Sequence, residues 1–169
     1  MQILKIFLSC IIIIAVIYDV RSYTIPNSLI LLSYALAFLC RARLGWLGIA
    51  GFFAGTLFPI VSLILLQRAG VIGGGDIKLL SAAGGFLGIR RGMLCVLLSF
   101  FFGAVLSLVS LLRHKNGRAR IDFFLNYVQT VVRTGKLTPY YQPAENGYSG
   151  TIHFSIAVML AVCSVLWLL

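Results

Sequence analysis

The chain holds four acidic side chains, Asp19, Asp76, Asp122 and Glu145, and the first two abut long apolar runs. An ionisable group at the edge of a membrane span is costly there, so it usually faces a polar interior and performs a task. Two carboxylates held close together cannot both ionise readily, so one takes up a proton that the pair then shares. Such a pair can hydrolyse a peptide bond: the ionised member activates a water while the neutral member polarises the scissile carbonyl. Asp76 follows Gly73, Gly74 and Gly75. A backbone without Cβ atoms can take positive φ and lets an extended substrate strand come close. Asp76 also stands where a helix would begin, and the helix dipole favours a carboxylate at that end. Taken singly, the glycines read as a plain turn, Asp76 as an N-cap and Asp19 as an interfacial partner of Arg21. It is the two acids together that point to hydrolysis.

Other chemistries find less support. His114 and His153 are the only histidines and lie on different loops or ends. Cys10, Cys40, Cys95 and Cys163 form no CxxC pair and read as small hydrophobes. No metal site is expected from them. Lys78 and Ser81 stand three residues apart in an apolar helix without an oxyanion donor, which suits packing better than a Ser-Lys hydrolase. The run Gly73-Gly74-Gly75-Asp76-Ile77-Lys78 lacks the Gly-Lys-Ser/Thr half of a phosphate loop. Lys78, two positions past Asp76, falls on roughly the opposite helical face. It is expected to snorkel to the interface, with an accessory catalytic role as the second reading.

The elements that must position the two aspartates are apolar. The 169 residues are 60% hydrophobic and 11% charged, against about half and a quarter in soluble domains. With roughly 20 residues per helical crossing, the length fits about six spans and a single integral domain over residues 1–169. Apolar runs extend from Ile3 to Tyr18, from Pro26-Asn27 to Cys40, from Gly45 to Leu66, from Val71 to Ile89, from Met93 to Leu112 and from Ile152 to Leu169. The first is not followed by a small-x-small cleavage site, so it reads as a span rather than a signal peptide. Asn27 or Ser28 is expected to cap the second helix, with Pro26 restricting its start, and Arg41 or Arg43 to snorkel at its far end. Gly51-x-x-x-Gly55 in the third lets another helix approach closely. The fourth, rich in Gly, Ala and Ser, is too short to face lipid all round and is expected inside the bundle. Between the last two runs lies a polar stretch, 113–150, whose positions 121–132 carry apolar residues at helical spacing and suit an amphipathic helix on the membrane surface.

The net charge of +10 reads as topology information and attraction to membrane lipid. No nucleic-acid partner is expected, because the basic residues are scattered without interleaved aromatics. With the amino terminus outside, the inner side receives nine basic residues (Arg21, Arg68, Lys78, Arg113, Lys115, Arg118, Arg120, Arg133 and Lys136) and the outer side five (Lys5, Arg41, Arg43, Arg90 and Arg91). That orientation puts Asp19 and Asp76 on the cytoplasmic side.

The acids and their neighbours carry a resemblance. Gly73-Gly74-Gly75-Asp76-Ile77-Lys78 resembles the GxGD pattern, with its following basic residue, of the prepilin peptidases. Asp19 followed by Ile25-Pro26-Asn27 looks like the same family's first aspartate and its downstream Ile-Pro-Asn. The order, the separation of 57 residues from Asp19 to Asp76 and the placement on the first and fourth helices fit as well. The similarity extends over essentially the whole chain. It departs at Ile152-His153-Phe154, where many relatives have Pro-Phe or Pro-Tyr after an aliphatic residue, a change read as affecting the local helix start and not the chemistry.

The resemblance implies an integral membrane aspartic endopeptidase, all-α, with six transmembrane helices. Its task would be to remove the short basic leader from type IV prepilins or pseudopilins at the cytoplasmic face of the plasma membrane. Asp19 and Asp76 would be the catalytic pair. Gly73, Gly74, Gly75, Pro26 and Asn27 would bind substrate or admit its backbone, and Lys78 would assist. No metal or organic cofactor is implied. The missing CxxC-bearing insertion matches the peptidase-only branch that serves tight-adherence pili or archaeal flagellins. Two other classes are open to the same residues: a small transporter or channel component in which both aspartates carry protons, and a noncatalytic assembly scaffold.

Overall fold

A computed structural model of the chain describes residues 2–113 and 153–167. The surface helix expected at 121–132, and with it Asp122, Glu145 and His114, lies outside the described residues. The described residues form six helices and no strand: α1 (Gln2–Ser22), α2 (Asn27–Ala42), α3 (Trp46–Arg68), α4 (Gly74–Leu87), α5 (Ile89–Arg113) and α6 (Phe154–Trp167). Two of them, α3 and α5, are long and apolar enough to cross a membrane. Their outward faces carry large exposed apolar side chains such as Val61, Leu65, Leu97 and Phe101, which water would not tolerate over so wide a surface.

The short fourth helix is the centre of the bundle. Every residue of α4 from Ile77 to Leu87 except Lys78 is buried, and α2, α3 and α5 pack around it. α6 rests mainly against α5 and then α1. Small side chains make this close packing possible, most of all where α3 crosses α4. Pro59 has no N–H, so the carbonyl of Gly55 loses its donor one turn later. That carbonyl lies against the backbone of Gly84, where a Cβ on either glycine would collide with the other's carbonyl oxygen. Neither backbone can swing aside as a side-chain tip could. Gly84→Ala is therefore expected to force α3 and α4 apart and cost about 1–3 kcal/mol, read as a lower melting midpoint of the protein in detergent. Gly75→Ala, whose Cβ would meet the Ile25 side chain at an ordinary 3.7 Å, should melt like the wild type.

Three local expectations are corrected. Pro26, not Asn27 or Ser28, occupies the N-cap of α2, where its carbonyl accepts the Leu29 and Ile30 N–H groups and no side chain caps the helix. Only Gly55 of the Gly51-x-x-x-Gly55 pair meets another helix. Gly51 is covered by the Arg41 guanidinium, which turns back over the bundle and reaches Gly88 as well. α5 starts at Ile89 rather than Met93, since Gly88 at φ 77° completes the break alone and Arg90 and Arg91 stay exposed in the first turn.

Candidate active site

Antiparallel neighbours bring the end of α1 and the start of α4 to one end of the bundle. Asp19 lies in the last turn of α1, where its carbonyl accepts the Tyr23 N–H at 2.8 Å. Tyr23 sits at φ 53°, a conformation that bulky residues seldom adopt, and from there the chain turns through Thr24 and Ile25 to α2. Asp76 lies in the first turn of α4 behind Gly73, the N-cap residue. The two aspartates line one cavity of about 270 Å³ together with Gly73, Gly74, Gly75 and Lys78, and with Tyr23, Thr24 and Ile25 from the loop.

The glycine run works by space, not by conformational freedom. Gly73 is at φ −68°, and none of the three takes positive φ; the turn before them is made by Gly70 at φ 69°. A Cβ on Gly73 would stand 3.1 Å from Asp76 Oδ2, and one on Gly74 would stand 2.9 Å from Gln67 Nε2. The missing side chains therefore leave the Asp76 carboxylate open to the cavity. The capacity of Gly73-Gly74-Gly75 for positive φ, noted from the sequence, is not used.

Asp76 stands outside the two segments long enough to span a bilayer. Burial, and after it the charge of Asp19, raise its carboxyl from 3.8 to about 7. The dipole of α4 opposes that shift, and desolvation outweighs it. Near neutrality Asp76 is thus poised to keep or release a proton, as a group that acts as an acid beside a second carboxyl must be.

Pro26 and Asn27 do not line the cavity. Asn27 Oδ1 accepts a hydrogen bond of 2.9 Å from Lys78 Nζ, tying the start of α2 to the first turn of α4. Lys78 thus spends its charge on Asn27 rather than on Asp76. A surface bond of this kind contributes about 0.5–1.5 kcal/mol to stability, so Asn27→Ala and Lys78→Ala should each lower the melting midpoint of the protein in detergent by a few degrees or less. The double variant should lose no more than the worse single one, because both break one bond. Ser81, fully buried, donates to the Thr56 carbonyl at 2.7 Å and accepts from Tyr34 Oη at 3.1 Å, so it joins helices and is no nucleophile.

Two residues touch Asp19 that the sequence reading did not place at the site: His153, which it set aside, and Ser155, which it did not single out. Ser155 Oγ donates to Asp19 Oδ2 at 2.6 Å, and His153 Nδ1 lies 3.3 Å from the same oxygen. His153 also stacks on Tyr23 with ring centroids 4.7 Å apart. Within the departure at Ile152-His153-Phe154, His153 therefore reaches the Asp19 carboxylate and is not confined to the helix start. The signal available was that two polar residues open an otherwise apolar last run.

No curated relative and no solved structure matches the chain. The model of the type IV leader peptidase family matches residues 6–108, a span that holds both aspartates and runs from α1 into α5. A match over well over half of the sequence settles kinship, and the chain belongs to the type IV leader peptidase family.

Proposed function

We propose that the chain is an aspartic-type membrane endopeptidase that cuts the basic leader from a type IV prepilin or pseudopilin. One observation carries this reading: Asp19 and Asp76, 57 positions apart in sequence, line one glycine-walled cavity and interact electrically there. A water between them has a base on one side, and a carbonyl has a proton donor on the other. Family membership supports a leader peptide as substrate. The walls of Gly73, Gly74 and Gly75 admit an extended backbone, and the apolar segment that follows the leader docks between helices.

The excess of basic residues at the Asp19 end supports a cytoplasmic site. It also means that the protein does not attract a basic leader by its net charge. The two carboxylates and anionic headgroups receive the leader instead. The chain is read as a multi-pass, peptidase-only member that serves tight-adherence pili or archaeal flagellins, with the short α4 sunk inside the bundle. A proton-carrying transporter would use the same acids, but no observation favours it over a peptidase.

Co-expression with a precursor bearing a short basic leader, a Gly and an apolar helix tests the reading. Mature pilin should accumulate with the wild type and stay absent with Asp19→Asn or Asp76→Asn at equal membrane levels. Undiminished maturation in both variants rejects the assignment.

A further inference from the structure

Asp19 is held by a helix that lies outside the stretch matching the family. α6 begins at Phe154, beyond residue 108, yet its first turn sends a hydroxyl, and the residue before it an imidazole, onto the Asp19 carboxylate. Ser155 is fully buried, so its hydroxyl has no water to turn to, and at 2.6 Å the contact has the length of a charge-assisted bond. The His153 ring is fixed from behind by its stack on Tyr23, whose left-handed backbone turns the phenol toward it. Strain at that residue is compensated by the contacts it permits.

Both contacts meet the same oxygen. Oδ2 receives the Ser155 hydroxyl at 2.6 Å and has His153 Nδ1 at 3.3 Å, which leaves Oδ1 for the cavity. A carboxylate with one oxygen held by a buried hydroxyl keeps its other oxygen in a fixed direction. Among the described residues no side chain is hydrogen-bonded to Asp76, whose Oδ2 faces the bare Cα of Gly73. The ionisable groups around Asp19 are Asp76 and Lys78 from α4, His153 before α6 and Tyr23 in the loop; the start of α2, Asn27 and Ser28, offers none.

We infer that His153 and Ser155 are positioning residues that clamp Oδ2 of Asp19, making Asp19 the carboxylate base of the pair and Asp76 its acid. The inference rests on the aspartic-peptidase reading above and adds the division of labour that the motifs leave open. The water gives a proton to Asp19 Oδ1 as its oxygen bonds to the carbonyl carbon, and Asp76 gives its proton to the carbonyl oxygen. In collapse the C–N bond breaks, Asp19 returns the proton to the leaving amine, and Asp76 regains one from the diol. Ser155 and His153 exchange no proton with substrate at any stage; they fix which oxygen faces the water. The burial that raises Asp76 agrees with its role as the protonated member.

The test is the pH dependence of precursor cleavage by the purified full chain in lipid nanodiscs, with a synthetic precursor of basic leader, Gly and apolar helix. Ser155→Ala removes one contact to Asp19 Oδ2, and His153→Phe removes the other while keeping a ring to stack on Tyr23. Each should move the acidic limb of kcat/KM upward by about one pH unit, the worth of one hydrogen bond to a charged group. KM at the plateau should stay within about twofold, because neither residue holds substrate. Ser155→Thr, which keeps the hydroxyl, should return the limb to its wild-type position. Limbs that superimpose on the wild type, or a rate lowered by one factor at every pH, overturn the inference and leave the pair as packing. His153 is partly exposed, so His153→Phe decides the matter should Ser155→Ala not fold. Asp19→Asn runs alongside: an inactive Asp19→Asn with an unmoved Ser155→Ala limb sinks only the clamp, whereas an active Asp19→Asn sinks the dyad itself.

Discussion

Asp19→Asn and Asp76→Asn should each lower the rate of leader removal about a thousandfold, the middle of the range that a positioned acid or base contributes. Rate assays on purified protein at equal amounts check it. The two variants should differ in stability although they share inactivity. A carboxyl whose folded value is raised from 3.8 to about 7 binds more protons folded than unfolded between those limits. Its contribution to stability is therefore fully present below about pH 4 and is lost as pH rises through about 7. An amide carries no such cost, so Asp76→Asn should melt higher than the wild type at pH 8 and close to it at pH 4. Asp19→Asn should melt lower at both, since an amide in place of the carboxyl disturbs the bond from the buried Ser155. An inactive Asp76 variant that is at least as stable as its parent separates loss of chemistry from loss of fold.

The second large effect is on the alkaline side. If Asp76 must hold a proton to act, cleavage should fall as pH rises through about 7, approaching a tenfold loss per unit above it. At pH 9 about a hundredth of the maximal kcat/KM should remain, and the loss should reverse on returning to pH 6. The direction follows from the raised Asp76: a carboxyl of ordinary acidity would already be ionised at pH 5, and no alkaline limb would arise from it. A rate that climbs or stays level between pH 6.5 and 9 would mean that both carboxylates work in the charged form, which their shared cavity does not favour.

Much of this architecture is legible in the residues. Apolar runs bounded by Arg, Gly and Pro mark the helices, and the scarcity of acids singles out Asp19 and Asp76 before any contact is known. The small-residue stretch 81–85 foretells a helix sunk in the bundle, and α4 is that helix. What escaped reading depends on contacts between distant segments. His153 and Ser155 stand 134 and 136 positions from Asp19, beyond a long polar stretch, and helical periodicity cannot relate them to it. Asn27 lies 51 positions from Lys78 and reads as a cap, because a side-chain amide beside Pro26 suits a cap equally well. The glycines before Asp76 read as a flexible turn for a similar reason. Sequence tells that a Cβ is missing, and only the neighbours tell whether its absence serves a backbone angle or a carboxylate's room.

Infrared spectroscopy of the carboxyl groups in the membrane-embedded protein asks most directly whether two acids keep one proton between them. At pH 6 the wild type should display a protonated-carboxyl band that disappears as pH rises through about 7 and that is missing from Asp76→Asn at pH 6. A spectrum in which that band is absent at pH 6, or persists unaltered in Asp76→Asn, contradicts the account.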